Sequence, residues 1–430
     1  MPGNQPRSLL LRHRDFRLFY IGDVADQFGT SVTGVGAPLL AIATLHAGTF
    51  AVSLLSMFAW LPWLLIALPA GVWVDRSRHR PIMLASATAS LVLLASVPMV
   101  DGGIGYLLVV TLLVGAASVF YQTAYRAYLP TLVAPEDLAE GNAKLHGSAS
   151  AAQIVGAGGG GLLTQLLGGL NVMFVNASTF VMSVLCIASI RTKEARPVPA
   201  ERVMRREIAE GLRLVVRDPW IRSLTTFGAA SNLALMAYQS ILPVFLVRHV
   251  GLGKGTVGVL VAVASTGGVL GAYLARRVAA RIGTARAMLL FEVGFALPAV
   301  LIPLTTRGVG VLCYPVGAFC IGAGVVAGNV LKSGFQQAYC PPRLLGRLSA
   351  SASFLNYGTL PLGALLGGTL GTLLGVPAAI WITTAGVPLA GLVLLLSPLR
   401  TVRDLPDGPP AALMPGDAAP AVPEVAAASA

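Results

Sequence analysis

Charge is scarce in this chain. Only 11% of its 430 residues are Asp, Glu, Lys or Arg, against about 25% in an ordinary soluble domain. That excludes an ordinary soluble enzyme, and a hydrophobic content of 55% excludes a disordered protein. Lysine is scarcer still, four of 30 basic residues, the remainder being Arg. Cysteine is reduced to Cys186, Cys313, Cys320 and Cys340, with no CxxC pair, so neither a disulfide framework nor a zinc site is indicated. No HExxH, no GxSxG and no convergent His set is present, and Gly251–Thr256 (GLGKGT) lacks phosphate-loop spacing. An enzyme and an ATP-driven pump therefore have no motif to rest on, and neither a cofactor nor a metal is expected.

What is abundant is apolar sequence in runs of ~20 residues, the length that crosses a bilayer. Twelve spans are predicted, over 18–45, 50–73, 81–100, 104–128, 145–168, 171–190, 221–247, 255–275, 285–304, 308–331, 347–374 and 377–398. With the N-terminus in the cytoplasm, alternation puts all but three of the 30 Lys and Arg on the inner side. The exceptions are Arg248, Lys254 and Arg307. So lopsided a split supports both the count and the orientation. It also accounts for the +12 net charge without nucleic acid. A cytoplasmic tail over 1–17 and a disordered cytoplasmic tail over 399–430 complete the layout.

The longest polar segment, 191–220, divides six spans (18–190) from six (221–398). Glu207–Arg217 within it has the pattern of an amphipathic helix at the inner interface. The halves repeat weakly. Gly160-Gly161 through Gly168 matches Gly367-Gly368 through Gly375, and in that register Pro135 meets Pro342. A second match aligns Gly71 with Gly271 and Asp75 with Ala275. Parallel six-helix repeats are a transporter architecture, with substrate bound between the halves near the midplane.

The loop after the second span reads GVWVDRSRHRP, Gly71–Pro81. This resembles the signature of the major facilitator superfamily. The stretches Tyr125–Ala143, Arg206–Leu224 and Arg343–Gly368 resemble the branch with macrolide efflux proteins and the enterobactin exporter. The resemblance covers about Phe16 to Arg400. It implies an all-α membrane protein in two pseudo-symmetric six-helix bundles, and a proton-coupled exporter of a hydrophobic or amphipathic small molecule. It also implies a gating motif over Gly71, Asp75, Arg76 and Arg80, with Gly71 allowing close helix approach. Arg126 either pairs with Asp75 or anchors its helix at the inner face. Exporters often carry Gly-Pro in the fifth helix; this chain has Gly156–Gly161 without Pro.

The first span holds Asp23, Asp26 and Gln27 on one helical face. An Asp at the centre of a membrane helix costs roughly 2.5–3.5 kcal/mol. Two readings fit: a proton carrier exposed to a wet cavity, or a carboxyl hydrogen-bonded to a neighbouring helix. Glu292 reads better as a structural partner of Arg286 or Lys332. Gln122, Asn232, Tyr238, Gln239, Asn329 and Asn356 are candidate cavity contacts if the first, fourth, seventh and tenth helices line the cavity, as the resemblance implies. Interhelical hydrogen bonding is the competing role for each. The expectation is a monomeric, inner-membrane proton antiporter. An uptake permease, a lipid flippase and a non-transporting membrane protein are its rivals.

Overall fold

The structure is a computed structural model that describes residues 9–192, 194, 212–406 and 408. Within them the chain forms twelve long helical rods. The first six are α1 (Arg14–Ala43), α2 (Thr49–Leu65 and Ala67–Asp75), α3 (His79–Ser96), α4 (Gly103–Leu132), α5 (Leu138–Leu167) and α6 (Gly169–Ala188). The second six are α7 (Pro219–His249), α8 (Lys254–Ile282), α9 (Thr284–Leu304), α10 (Gly308–Tyr339), α11 (Pro342–Leu373) and α12 (Val376–Leu395). Seven are long and apolar enough to span a membrane by composition alone, and α2, bent by 53° around Ile66, is an eighth. The other four, α1, α3, α5 and α11, are diluted by Gly, Ser, Thr, Ala and the two Asp. The chain is a multi-pass, all-helical membrane protein.

The same pairings hold each half together. Helix α1 packs on α5 and α6, α2 on α4, and α3 on α4 and α6; α7 packs on α11 and α12, α8 on α10, and α9 on α10 and α12. Two further pairs, α2 with α11 and α5 with α8, join the halves and exchange under the repeat.

The glycine match is reproduced atom by atom. A Cβ at Gly160 would overlap the carbonyl of Val32 on α1; one at Gly367 would overlap that of Ala237 on α7. Gly156 faces Phe28 O on α1, as Gly363 faces Leu233 O on α7. Gly161 faces Gly258 on α8, as Gly368 faces Ser53 on α2. Small residues let backbones touch, which is how helices associate where lipid removes the hydrophobic drive. The tight turns that follow, Gly168 and Gly375, both sit at φ 83°, a left-handed conformation open to glycine.

Two end faces follow from the even number of crossings. One, here the terminal face, carries the start of α1 and the end of α12; the other is the opposite face. On the terminal face Asp15 accepts from Arg191 N, Thr192 N and Thr192 Oγ1, tying α1 to the end of α6. Arg12 pairs with Asp137 at 2.9 Å. Asp218 caps α7 through Trp220 N and Ile221 N, and accepts from Tyr339 Oη of α10 at 2.6 Å.

Two expectations are corrected at the ends. The loose tail does not begin at 399: Asp404 Oδ1 accepts from Thr284 N, Leu405 N donates to Thr284 Oγ1, and Leu405 is buried. Lys332 does not belong to the surface: it lies within α10, seven residues and about 10 Å before the helix end. Of the expected amphipathic helix Glu207–Arg217, residues 207–211 lie outside the described residues and 212–217 are helical.

Candidate functional site

The halves meet most tightly at the opposite face. There Arg248, at the end of α7, donates to Ala47 O at 2.8 Å and Ile42 O at 3.3 Å. Gln165 of α5 accepts from Gly255 N of α8 at 2.9 Å. A Cβ on Gly161 would lie 2.5 Å from Gly258 Cα. Midway, Trp60 and Trp63 of α2 pack on Tyr357 of α11, at ring separations of 5.9 and 5.5 Å. Met57, Met236 and Leu360 continue that apolar bridge.

Two cavities lie between the tight end and the terminal face. One, of about 410 Å³, is walled by α1, α5, α7, α8 and α10, hence by both halves. Its lining is apolar apart from Gln153, Tyr238, Gln239, Ser265 and Tyr314. A concave, mainly apolar site with a few polar groups is the form of a small-molecule pocket. The other, of about 1080 Å³, is walled by α8, α10, His146 of α5 and the returning segment Arg403–Pro406. Asn329 lines it, and Val326 borders both cavities.

Asp23 and Asp26 line neither cavity. They are 1% and 6% exposed, so bulk water does not reach them in this state. They face the interior of the N-terminal half, against α4 and α6. Tyr125 and Gln27 flank Asp23, yet both Asp23 oxygens lack a hydrogen bond of acceptable geometry. Tyr121 stands beside Asp26 and lies 3.4 Å from Ser183 Oγ. Phe19, Tyr125 and Tyr121 stack at 4.7 and 6.2 Å and wall the acids off. No cation pairs with either Asp among the described residues. A buried carboxyl pair with no cation beside it is costly to hold in the charged form.

The remaining candidates separate. Tyr238 and Gln239 meet in the 410 Å³ cavity. Asn232 instead donates to Asn356 O at 3.2 Å, and Asn356 Nδ2 to Ala352 O at 2.7 Å, so both take part in hydrogen bonds within the bundle. Gln122 is half-buried on α4 and lines neither cavity. Gly71 approaches nothing within 4 Å, because α2 has already bent at Ile66, which corrects its expected packing role. Asp75, Arg76 and Arg126 are exposed, and Asp75 makes no ion pair with Arg126. Arg80 donates to Ile187 O and Ala188 O, capping α6, while Glu194 accepts from the N–H groups of His79 and Arg80.

Sequence reasoning missed Gln153, Ser265 and Tyr314 in the cavity, and Gln165 and Arg248 at the closed end. Only Arg248 left a signal, as one of three basic residues on the wrong side of the charge split.

Paired six-helix halves around a central cavity define a major facilitator transporter, not an enzyme. A family model described as "Transmembrane secretion effector" (MFS_3) matches residues 9–421, and the chain belongs to that family. It is 29% identical over 398 residues to the "Multidrug efflux pump Tap" of Mycolicibacterium fortuitum, covering 89% of this chain and 95% of that one. It is 25% identical over 421 residues to the "Enterobactin exporter EntS" of Citrobacter koseri, covering 94% and 97%. A crystal structure of the nucleoside transporter NupG shares the fold at TM-score 0.73 and 11% identity, over 89% and 99%.

Proposed function

We propose that this chain exports a hydrophobic or amphipathic small molecule from the cytoplasm by proton antiport and alternating access. The observation that carries the reading is the 410 Å³ apolar cavity shared by both halves. On α1, the buried acids sit about two turns from that cavity's wall. Asp26 precedes Gly34 by eight residues, about 12 Å along the helix. Protonation of Asp26 changes the charge held between α1 and α4, and so biases the α1 position that also shapes the cavity. The multidrug and siderophore exporters among the relatives support the direction and the substrate class.

In this proposal the terminal face is cytoplasmic, and the protein is a monomer of the bacterial inner membrane with both termini inside. Residues 18–190 and 221–398 move as two bundles. The tight contacts at Arg248, Gln165 and Gly161 then close the outer side, and the 1080 Å³ cavity opens inward. The test is accumulation of a panel of hydrophobic drugs and siderophore-like chelators in efflux-deficient cells expressing wild type or Asp26→Asn at matched levels. Lower accumulation with wild type, abolished by an uncoupler and by the substitution, is the expected result. Raised accumulation would convert the reading to uptake.

A further inference from the structure

The C-terminal half buries charge of a different kind. Helix α9 leaves α-helical geometry at Leu290–Gly294, where a π-turn carries Glu292. Such turns rotate a side chain out of register and recur at functional sites. The Glu292 carboxylate fills the notch at Gly328 of α10, where an added Cβ would collide with Oε1. One helical turn further along α10 is Lys332, the electrostatic partner of Glu292. The Lys332 ammonium reaches past α10 to α7, where an added Cβ at Gly228 would lie 3.4 Å from Nζ. Asn356 Oδ1 of α11 occupies the same notch, and it is buried without a hydrogen-bond partner. Its amide nitrogen is already committed to Ala352 O. A buried acceptor left unmade is costly, so this one stands as an unused partner for a nearby donor.

Lys332 thus stands between two acceptors, Glu292 toward α9 and Asn356 Oδ1 toward α7 and α11, with no ion pair or hydrogen bond to either in this state. Among the described residues, Glu292 and Lys332 are each the other's one electrostatic partner; the charged groups of the neighbouring α8, Arg276, Arg277 and Arg281, couple to neither. Helix α12, which also packs on the π-turn, has no ionisable group over Val376–Leu395; α7 has none between Arg222 and Tyr238; α11 has none between Arg347 and Tyr357.

We propose that Glu292, Lys332 and Asn356 form a second proton-exchange site, in which Lys332 moves between the Glu292 carboxylate and Asn356 Oδ1. When the ammonium donates to Asn356, Glu292 loses its counter-charge and takes a proton from cavity water onto its carboxylate. When the ammonium returns, that proton leaves to water. Lys332 keeps its own charge throughout, so one proton is bound and released per cycle. In this proposal the water comes from the 1080 Å³ cavity, which Leu331 and Ser333 line on either side of Lys332 in the sequence; Glu292 and Lys332 are not themselves in its wall. The proposal rests on the proton-antiport reading for its use, but not for its detection.

The test is infrared difference spectroscopy of the purified full chain in detergent, without substrate. The carbonyl stretch of protonated carboxylic acids is followed from mildly acidic to mildly alkaline pH. A titrating band lost in Glu292→Gln but kept in Asp23→Asn and Asp26→Asn is expected. In Lys332→Met that band should persist across the whole range, because no cation displaces the proton. In Asn356→Leu, which leaves every charge in place and serves if Lys332→Met does not fold, the band should vanish as Lys332 stays on Glu292. Absence of any Glu292-dependent band in wild type overturns the proposal, as does a band indifferent to Asn356→Leu. Ethidium efflux from proteoliposomes, measured in parallel with and without an imposed pH gradient, addresses the antiport reading separately. A Glu292 band with gradient-independent efflux would sink that reading and leave the site standing.

Discussion

The two halves share a scaffold and differ in what they bury. In the N-terminal half, Asp23 and Asp26 are enclosed by α4 and α6 with aromatic rings and hydroxyls but no cation. In the C-terminal half, Glu292 faces Lys332. Duplication accounts for the matched helix pairings and the three glycine pairs. It does not account for the charges, which were placed on each half separately. The lesson is that backbone contacts define the repeat, while the unpaired acids make the halves inequivalent. In the proposed antiporter, such an asymmetry would let a proton bias one step.

The sharpest way to test the shared scaffold is to overfill matched notches. Gly161→Ala pushes a methyl into three backbone atoms of α8, which cannot yield, whereas Gly368→Ala meets Ser53, whose Oγ can turn away but whose Cβ, 2.7 Å from the new methyl, must shift. Ethidium efflux at matched expression should fall more than about tenfold for Gly161→Ala, corresponding to roughly 1.4 kcal/mol or more, within the usual range for overpacking. Gly368→Ala should lose clearly less. Equal losses would mean that the two notches are not as different as their contacts suggest.

The charge difference gives the next contrast. Removing Glu292 leaves the Lys332 ammonium uncompensated, at about 3 kcal/mol, whereas removing Lys332 leaves a carboxyl that holds its proton. Thermal unfolding in detergent should show Glu292→Gln clearly destabilised and Glu292→Gln/Lys332→Met partly restored. Asp23→Asn, which strands no cation, should match or exceed wild type. A double variant no better than the single would dissolve the pairing.

The closed end should respond more modestly. Arg248→Met removes two charge-assisted hydrogen bonds to the α1–α2 corner, worth about 2 kcal/mol together after exchange with water. Reporter cysteines placed on that face should label faster in the variant. Unchanged labelling would show that the glycine contacts alone hold the face shut.

The smallest effect belongs to Asp15, outside the apolar span. Burial raises its carboxyl, but hydrogen bonds from Thr192 and Arg191 and the neighbouring Arg14 outweigh this, and the net position is below the usual 3.8. A lowered carboxyl contributes stability that is full above its unfolded value and is lost as pH falls through the folded one. Asp15→Asn should therefore be slightly destabilised near neutrality, by under about 1 kcal/mol for a partly exposed group whose amide oxygen still accepts from Thr192. It should converge with wild type in acid, as followed by thermal unfolding across pH.

Most of the fold was legible because a bilayer imposes one length and one polarity on every span. The predicted limits agree with α1–α12 to within a few residues except where helices run past the membrane, at the terminal ends of α5, α8 and α10. The Gly168 and Gly375 turns were visible as a repeat before their matching φ was known. The site was less legible. Helical spacing puts Asp23, Asp26 and Gln27 on one face, but it cannot say whether water or Tyr125 lies opposite. Lys332 was one of two expected partners of Glu292, and the structure selects it over Arg286; the π-segment that carries Glu292 gives no sequence signal. Asn232 and Asn356 look like cavity polar groups in any one-dimensional reading, and only the packing of α7 on α11 brings Asn232 to the Asn356 carbonyl.

The most direct measurement of the central claim is ethidium transport in proteoliposomes holding wild type or Asp26→Asn, under an imposed pH gradient and under none. The account predicts gradient-driven transport in wild type and, in the variant, none above protein-free vesicles. Equal gradient-driven transport by both proteins would contradict it, because the buried acid of α1 would then carry no proton that matters.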